Sequence, residues 1–348
     1  MHLQIAPTTG NTTLWPFTPF RGFESLRTGL FTLAERCALL GIVLHTGEHP
    51  APAENDIVIT LPANQLVSLA GLQQLKETGQ APGSEHTRTL QHAAHLVQFN
   101  DWALRTDMDW ILAHKASMPI PATVQTINPR EIFIEPGARL QHCTINASNG
   151  PVYIGAHAEV MEGCTLRGPL VIGEGAVVKM GAKIYGSTTI GPYCMAGGEI
   201  KNSILMGFSN KAHDGYLGDA VLGEWCNLGA GTSNSNIKNT AGEILLYNGS
   251  NEPFTAGNKC GLMMGDFSRS AINTSFNTGA MVGVCCNIFG SGLTPKHTPD
   301  FRWGNETYRL EAALRDIGNW MALKGRPLTA AMEEQIRRYY QETVTHSS

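Results

Sequence analysis

The chain has 348 residues, a formal net charge of −4 and only 16% charged residues. That length accommodates two domains or one extended repeat with appendages, and a slightly acidic chain without a Lys/Arg block gives no electrostatic case for nucleic-acid or membrane-surface partners. No apolar run reaches the length of a membrane-spanning helix.

The opening, MHLQIAPTTGNTTLWPF, lacks the basic start and apolar core of a secretory leader. In residues 1–117, TLAERCALLGIVL reads as a helix or helix-strand, NDIVITLP as a short strand, and LVSLAGLQQLKETG and NDWALRTDMDWILAHKA as helices. Together they predict an α/β module too small for a full doubly wound domain. Beyond residue 135 the chain becomes rich in glycine. From Pro151, apolar residues recur every six positions: Ile154, Val160, Leu166, Ile172, Val178, Ile184, Ile190 and Ala196. A period of six matches neither the helical 3.6 nor the strand period of 2, but it fits a solenoid whose triangular coil has three six-residue edges. Each coil then points its apolar residues into a prism, and stacking supplies the core that no coil has alone. The repeat blurs near residues 200–215, resumes at Tyr216, Leu222 and Leu228, and blurs again through NIKNTAGEILLYNGSNEPFTAGNKC, which reads as an excursion from the prism. A last set follows at Met264, Phe276, Val282 and Ile288. The solenoid is assigned to residues 118–303. After a Pro-rich exit, residues 304–348 carry two segments of helical spacing divided by Gly325 and Pro327, placed beside the coils or on a neighbouring subunit. Cys37, Cys143, Cys164, Cys194, Cys226, Cys260, Cys285 and Cys286 form no CxxC pair and no metal-like spacing with His, which favours free thiols in a reducing cytoplasm.

One stretch of the solenoid carries chemistry: NKAHDGYLGDAVLGEWCNLGAGTSNSN, residues 210–236. His213, Tyr216, Gly218, Asp219, the run Asn227-Leu-Gly-Ala-Gly-Thr232 and Asn236 resemble the signature of the bifunctional N-acetylglucosamine-1-phosphate uridylyltransferase/glucosamine-1-phosphate acetyltransferases. EIKNSILM, upstream, matches a Glu-x-Lys pair at the distance that family expects. Over almost the whole chain, segments such as NASNGPVYIGAHAEVMEG and NTGAMVGVCCNIFGSG resemble an alternative bacterial branch whose members are described as sugar nucleotidyltransferases serving both steps. LWPFTPFRGFESLRTGLFTLAER is similar to that branch's degenerate nucleotidyltransferase opening. The resemblance implies a mainly β protein: a left-handed parallel β-helix of hexapeptide repeats with a reduced N-terminal nucleotidyltransferase-like module and a C-terminal helical pair. It also implies a homotrimer with active sites between prisms.

A working nucleotidyltransferase wants a Gly-rich loop for phosphates and acidic residues for Mg2+. Here no G-x-G-T-R-x occurs, and Arg21-Gly22 replaces the Arg-Pro of the branch motif. Mg2+ is therefore expected only if that module is active, and no other metal is. Acetyl transfer from a thioester to an amine needs a base, an oxyanion donor and grips for sugar and phosphate. An imidazole, with its pKa near 6.5, suits the base, which makes His213 the candidate. By resemblance, Lys201 and Tyr216 hold the sugar phosphate, Lys179 adds a positive charge or is simply solvated, and Glu199 either orients the imidazole or accepts from the sugar amine. Asn227 and Asn236 bind the sugar and the acceptor nitrogen or form a structural ladder. The Ala230 N–H is the oxyanion donor. Acetyl-CoA lies along residues 260–290, where Gly279, Gly283, Gly290 and Gly292 allow close approach or merely make turns. Ile237 and Gly242 replace a Tyr and a Lys of the family pattern, and Lys238 stands near enough to substitute for the latter. The expected reaction is acetylation of an amino-sugar 1-phosphate; the alternatives are nucleotidyl transfer to a sugar 1-phosphate and a silent scaffold that binds a nucleotide-sugar.

Overall fold

The computed structural model describes residues 1–6, 14–45, 58–248 and 253–344. From Gln125 onward the chain winds into a parallel β-solenoid with three faces. Face 1 stacks nine strands from Ile132–Ile134 to His297–Thr298, and face 2 ten from Arg139–Leu140 to Glu306–Thr307. Face 3 stacks six, from Gln125–Ile127 to Tyr216–Gly218, and continues in the pair Ser233–Asn234 and Ser275–Phe276. Every hexad residue from Ile154 to Ala196 lies in a single apolar cluster inside the prism, joined by Leu222, Leu228, Met264, Phe276, Val282 and Ile288.

The register explains where the repeat blurs. Val152, Leu170 and Thr188 stack at eighteen-residue intervals. The next step on that face, Thr189 to Ile204, is fifteen, and Ile204 to Val221 is seventeen. Interior positions therefore fall at Ala196, Ile200, Leu205, Lys211, Leu217 and Leu222, not at strict sixes. Tyr216 is consequently not an interior hexad residue: Leu217 fills the prism and Tyr216 turns outward. The step from Val221 to Met263 is forty-two residues, and the surplus forms the expected excursion, with an antiparallel pair at Leu245–Leu246 and Phe254–Thr255.

The N-terminal part is a three-stranded parallel sheet of His2–Ile5, Val43–His45 and Val58–Leu61, with α1 (Leu33–Leu39), α2 (Leu69–Thr78), α3 (His95–Gln98) and α4 (Asn100–His114). The predicted helix-strand of TLAERCALLGIVL is α1 and Val43–His45; residues 55–57 of the strand in NDIVITLP lie outside the described residues. This module covers face 1. Its core merges with the outward residues Ile204, Val221, Met263 and Met281 and with the excursion through Ile244, Leu246 and Ala256. Leu104, Met108 and Ile111 of α4 cover Phe133, Tyr153 and Val171 lower down the same face.

The two C-terminal helices, α5 (Leu310–Leu323) and α6 (Ala330–Val344), pack on their own chain, at the corner between faces 1 and 2. There Tyr193, Phe208 and Trp225 stack from coil to coil with centroids 5.2 and 4.3 Å apart, beside Phe267 and Phe301. The turn-rich segment around Trp15–Arg21 threads between this corner and α6. The Arg21 guanidinium reaches Glu224 at 2.9 Å and the buried Asp266 at 2.5 Å, Trp15 donates to Asp300 at 3.2 Å, and Gln335 of α6 donates to the Phe20 carbonyl.

Breaking a buried pair leaves one charge uncompensated, which typically costs about 3 kcal/mol or more. Arg21→Ala is therefore expected to lower the unfolding free energy by about 3 kcal/mol, read from chemical denaturation, because Asp266 remains buried without its cation. An unchanged denaturation midpoint would show that the N-terminal segment does not clamp the coils.

Candidate active site

The coil shortening falls where the predicted residues cluster. On the corner between faces 2 and 3, one coil crosses with only Gly197 and Gly198 between Met195–Ala196 and Glu199–Lys201. The next crosses with four residues, Ala212 to Gly215, between Asn210–Lys211 and Tyr216–Gly218. The wider turn pushes His213 outward, where it is exposed. Gly198, at φ 68°, has to be glycine to let it sit there: a Cβ would meet the His213 carbonyl at 2.7 Å and the Asp214 Cα at 2.9 Å. Gly215, at φ 124°, passes so close to Thr232 that a Cβ would lie 2.1 Å from its carbonyl.

Two corners of unequal width cannot match all their hydrogen bonds. Among the described residues no backbone N–H donates to the carbonyls of Gly197 or His213. Both are taken by Lys211, whose ammonium enters the prism at an interior position and is 2% exposed. Burial lowers its pKa to about 8, against the opposing pull of Asp214. The ammonium has three N–H donors, and these two carbonyls accept two of them. Above it the interior stays polar: Ser270 accepts from the Gly229 N–H, and Asn234 bonds both the N–H and the carbonyl of Gly218.

Face 3 beside His213 is open. Glu199, Lys201 and Tyr216 stand on it, with Glu199 and Tyr216 directly stacked. Glu199 accepts from the Tyr185 hydroxyl at 2.6 Å, a bond that pushes the tyrosine pKa up to about 12 and keeps it protonated. No hydrogen bond among the described residues joins Glu199 to the His213 imidazole. The Lys201 ammonium lies 5.8 Å from the Tyr185 ring centroid. Tyr216, its pKa raised by burial and by Asp219 and Glu199, accepts from the Asn236 amide at 3.1 Å. Asn236 also donates to Asp219 at 2.5 Å, and Asn202 donates to the other oxygen of the same carboxylate at 2.6 Å. The structure thus brings Tyr216, Asn236, Glu199 and Lys201 to one face, with His213 on its edge.

The remaining candidates are dispersed. Ala230 sits one coil above His213 on the same corner, and its N–H bonds no described residue. Asn227 lies on face 2, where it accepts from Asn210 at 3.3 Å in a polar ladder below Arg269. Lys179 stands at the corner below Gly197. Gly283 is not part of this site: it is buried at the corner between faces 1 and 2, where a Cβ would meet Asp300 at 2.3 Å. The His213 corner does lead to a cavity of about 400 Å³ at the end of the prism, lined by Phe289, Gly290, Gly292, Leu293, His297 and Arg302. Three coil steps separate it from His213, roughly 14 Å at the usual strand spacing. Lys211, Asn202 and Tyr185 were not singled out from sequence; the one visible signal was a lysine flanked by the motif where the hexad phase slips.

No family model matches the chain. Among curated proteins it is similar to the bifunctional protein GlmU of Synechococcus elongatus, 28% identical over 210 residues, covering 56% of this chain and 42% of that one. It is 34% identical over 95 residues to the GlmU of Methanocaldococcus jannaschii, covering 27% and 23% of the two chains. The bifunctional sugar-1-phosphate nucleotidylyltransferase/acetyltransferase of Sulfurisphaera tokodaii is 30% identical over 91 residues, 26% of this chain and 23% of that one. The chain spans less than half the length of these relatives. Of solved structures, an Arabidopsis UDP-N-acetylglucosamine acyltransferase aligns over 66% of this chain and 92% of its own at 15% identity, with a TM-score of 0.24.

Lys211 makes a pH prediction. Its folded pKa, about 8, lies below the ordinary 10.5, so between those values the unfolded chain binds a proton that the folded chain does not. Its contribution to stability therefore rises with pH across that window. The difference in denaturation midpoint between wild type and Lys211→Met should shift in favour of wild type from pH 8 to pH 10. A pH-independent difference would contradict the buried, depressed ammonium.

Proposed function

We propose that this chain transfers the acetyl group of acetyl-CoA to the amine of an amino-sugar 1-phosphate. The observation that carries the reading is the juxtaposition at one corner of an exposed histidine, an unbonded backbone N–H one coil above it, and an open face bearing Tyr216, Asn236 and Lys201. In this reading the amine nitrogen attacks the thioester carbonyl carbon, His213 takes the proton the nitrogen sheds, and the Ala230 N–H donates to the oxyanion. Collapse of the tetrahedral species breaks the carbon–sulfur bond, and the imidazolium returns its proton to the leaving thiolate.

Lys201 supplies positive charge for the sugar phosphate, with Lys179 further along the same edge. The thioester arm runs down the corner from the cavity at Phe289–Leu293 to His213. Met180 and Ile272, 71% and 68% exposed on the same edge below and above His213, suit contact with a second copy, in line with a homotrimer. Eight buried free thiols suit a reducing compartment such as the cytoplasm. Nucleotidyl transfer is the less favoured reading, because Arg21 of the opening motif is committed to Glu224 and Asp266 and does not face an open phosphate site.

Purified protein incubated with acetyl-CoA and glucosamine 1-phosphate should release free thiol, and His213→Ala should reduce the rate by about 100-fold or more, as loss of a general base does. Thiol release that is indifferent to His213 would overturn the assignment of the base. Silence with a panel of amino-sugar phosphates would overturn acetyl transfer.

A further inference from the structure

An asparagine amide is nearly symmetric in shape, so its environment decides whether it shows a substrate its carbonyl oxygen or its NH2 group. For Asn236 that choice has chemical weight. An oxygen accepts an N–H from the amine and leaves the nitrogen lone pair free to attack; an NH2 group competes for the lone pair. We infer that Asp219 is a positioning residue that fixes the polarity of the Asn236 amide, turning its carbonyl oxygen toward the amine of the incoming substrate. The inference rests on the role given to Asn236 in the proposed function.

The geometry is a chain of one-way contacts. A carboxylate only accepts, and the Asp219 oxygen 2.5 Å from Asn236 meets its nitrogen. The flipped amide would set two acceptors against each other. The second amide hydrogen goes to the Tyr216 hydroxyl at 3.1 Å, so both hydrogens are used, whereas no described residue donates to the amide oxygen. Asp219 cannot turn to relieve the contact. Its other oxygen accepts from Asn202 at 2.6 Å, its N–H bonds the Lys201 carbonyl at 3.1 Å, and its carbonyl accepts from Gly261 at 2.8 Å. It is 6% exposed and sits at φ 49°, in the left-handed region where Asp and Asn are the commonest residues after glycine. Asn236 is anchored too, its carbonyl accepting from Cys260 at 3.0 Å where the excursion closes. With both backbones fixed, the amide can only rotate, and Asp219 selects one of the two orientations.

The test is a polarity swap in the full chain: Asp219→Asn, Asn236→Asp and the double variant. Loss of a hydrogen bond to a charged group corresponds to a fall of about 10-fold to 100-fold in kcat with glucosamine 1-phosphate for Asp219→Asn, with KM for acetyl-CoA little changed. Asn236→Asp should fall similarly, because it sets two carboxylates together. The double variant restores an acceptor facing the substrate and a donor–acceptor pair behind it, and should recover to within about 5-fold of wild type, a rescue that a merely structural role would not give. Full activity in Asp219→Asn, or a double variant no better than either single one, would overturn the inference. Side-chain amide exchange by 15N NMR reads the orientation without turnover, the Asn236 pair being assigned by its loss in Asn236→Asp. If wild type does not acetylate the sugar phosphate, the functional reading fails. The polarity lock is then decided by whether the Asn236 NH2 is protected and loses protection in Asp219→Asn; an unprotected pair in wild type would overturn it.

Discussion

Each coil of the prism must lay its three strands on those of the coil below, about 4.8 Å away. A residue gained or lost along the way can therefore be absorbed only at a corner. The coils from Val152 to Thr188 keep an eighteen-residue interval, but the two between Ile190 and Leu222 run fifteen and seventeen residues, and their corners differ in width. A two-residue crossing at Gly197–Gly198 lies directly under a four-residue crossing at Ala212–Gly215. The mismatch makes His213 protrude, and it also strands the carbonyls of Gly197 and His213 inside the prism. An unmade bond to a buried carbonyl costs on the order of 1–3 kcal/mol. A lysine at an interior position is thus the local remedy for a strained register, and the remedy occurs under the residue with the best claim to be the base.

The rest of the chain decides which surface stays open. The N-terminal module covers face 1, and the C-terminal helices, clamped over the Trp15–Arg21 segment, cover the corner between faces 1 and 2. Three successive corner acids, Glu224, Asp266 and Asp300, are used to hold that segment and α6. Among the described residues, face 3 and its corner with face 2 receive no such cover. The excursion after Asn236 binds the two regions together: it leaves the site at Asn236, packs Ile244 and Leu246 into the N-terminal core, and returns at Cys260 beside Asn236. A module that resembles a nucleotidyltransferase in sequence therefore buttresses the loop on which one of the proposed substrate contacts begins.

Sequence periodicity was enough to read the solenoid, its excursion and the two terminal helices, because interior positions of a stacked coil accept little but apolar side chains. It misplaced Tyr216, since a five-residue interval from Leu217 to Leu222 cannot be seen while counting in sixes. It placed Gly283 with the thioester because glycine spacing reports a tight turn without saying at which of three corners the turn lies. His213, Tyr216 and Asn236 were legible only through the resemblance, as spaced polar residues that the repeat itself does not require. The roles of Lys211 and Asn202 were not legible, because they follow from a register that only the three-dimensional stacking defines.

Stacking also sorts donors from acceptors in a way the reaction can use. The corner between faces 2 and 3 offers a donor: in the turn at Gly229–Gly231 the Ala230 N–H bonds no described residue. The opposite edge of face 3 offers acceptors, since Asp219 in its left-handed turn faces into the cluster and consumes the hydrogens of Asn202 and Asn236. A three-residue strand, about 10 Å long, separates the two edges, and Tyr216 reaches across part of that width to meet Asn236. Acetyl transfer to an amine needs this polarity: a donor where negative charge builds on the carbonyl oxygen, and an acceptor where the amine must be held by its hydrogens. Reversing it would stabilise neither partner. In the proposed reaction, a face with no fixed polarity would bind a sugar without favouring attack by its nitrogen, so the inferred role of the carboxylate behind Asn236 matters to it as much as the amide in front.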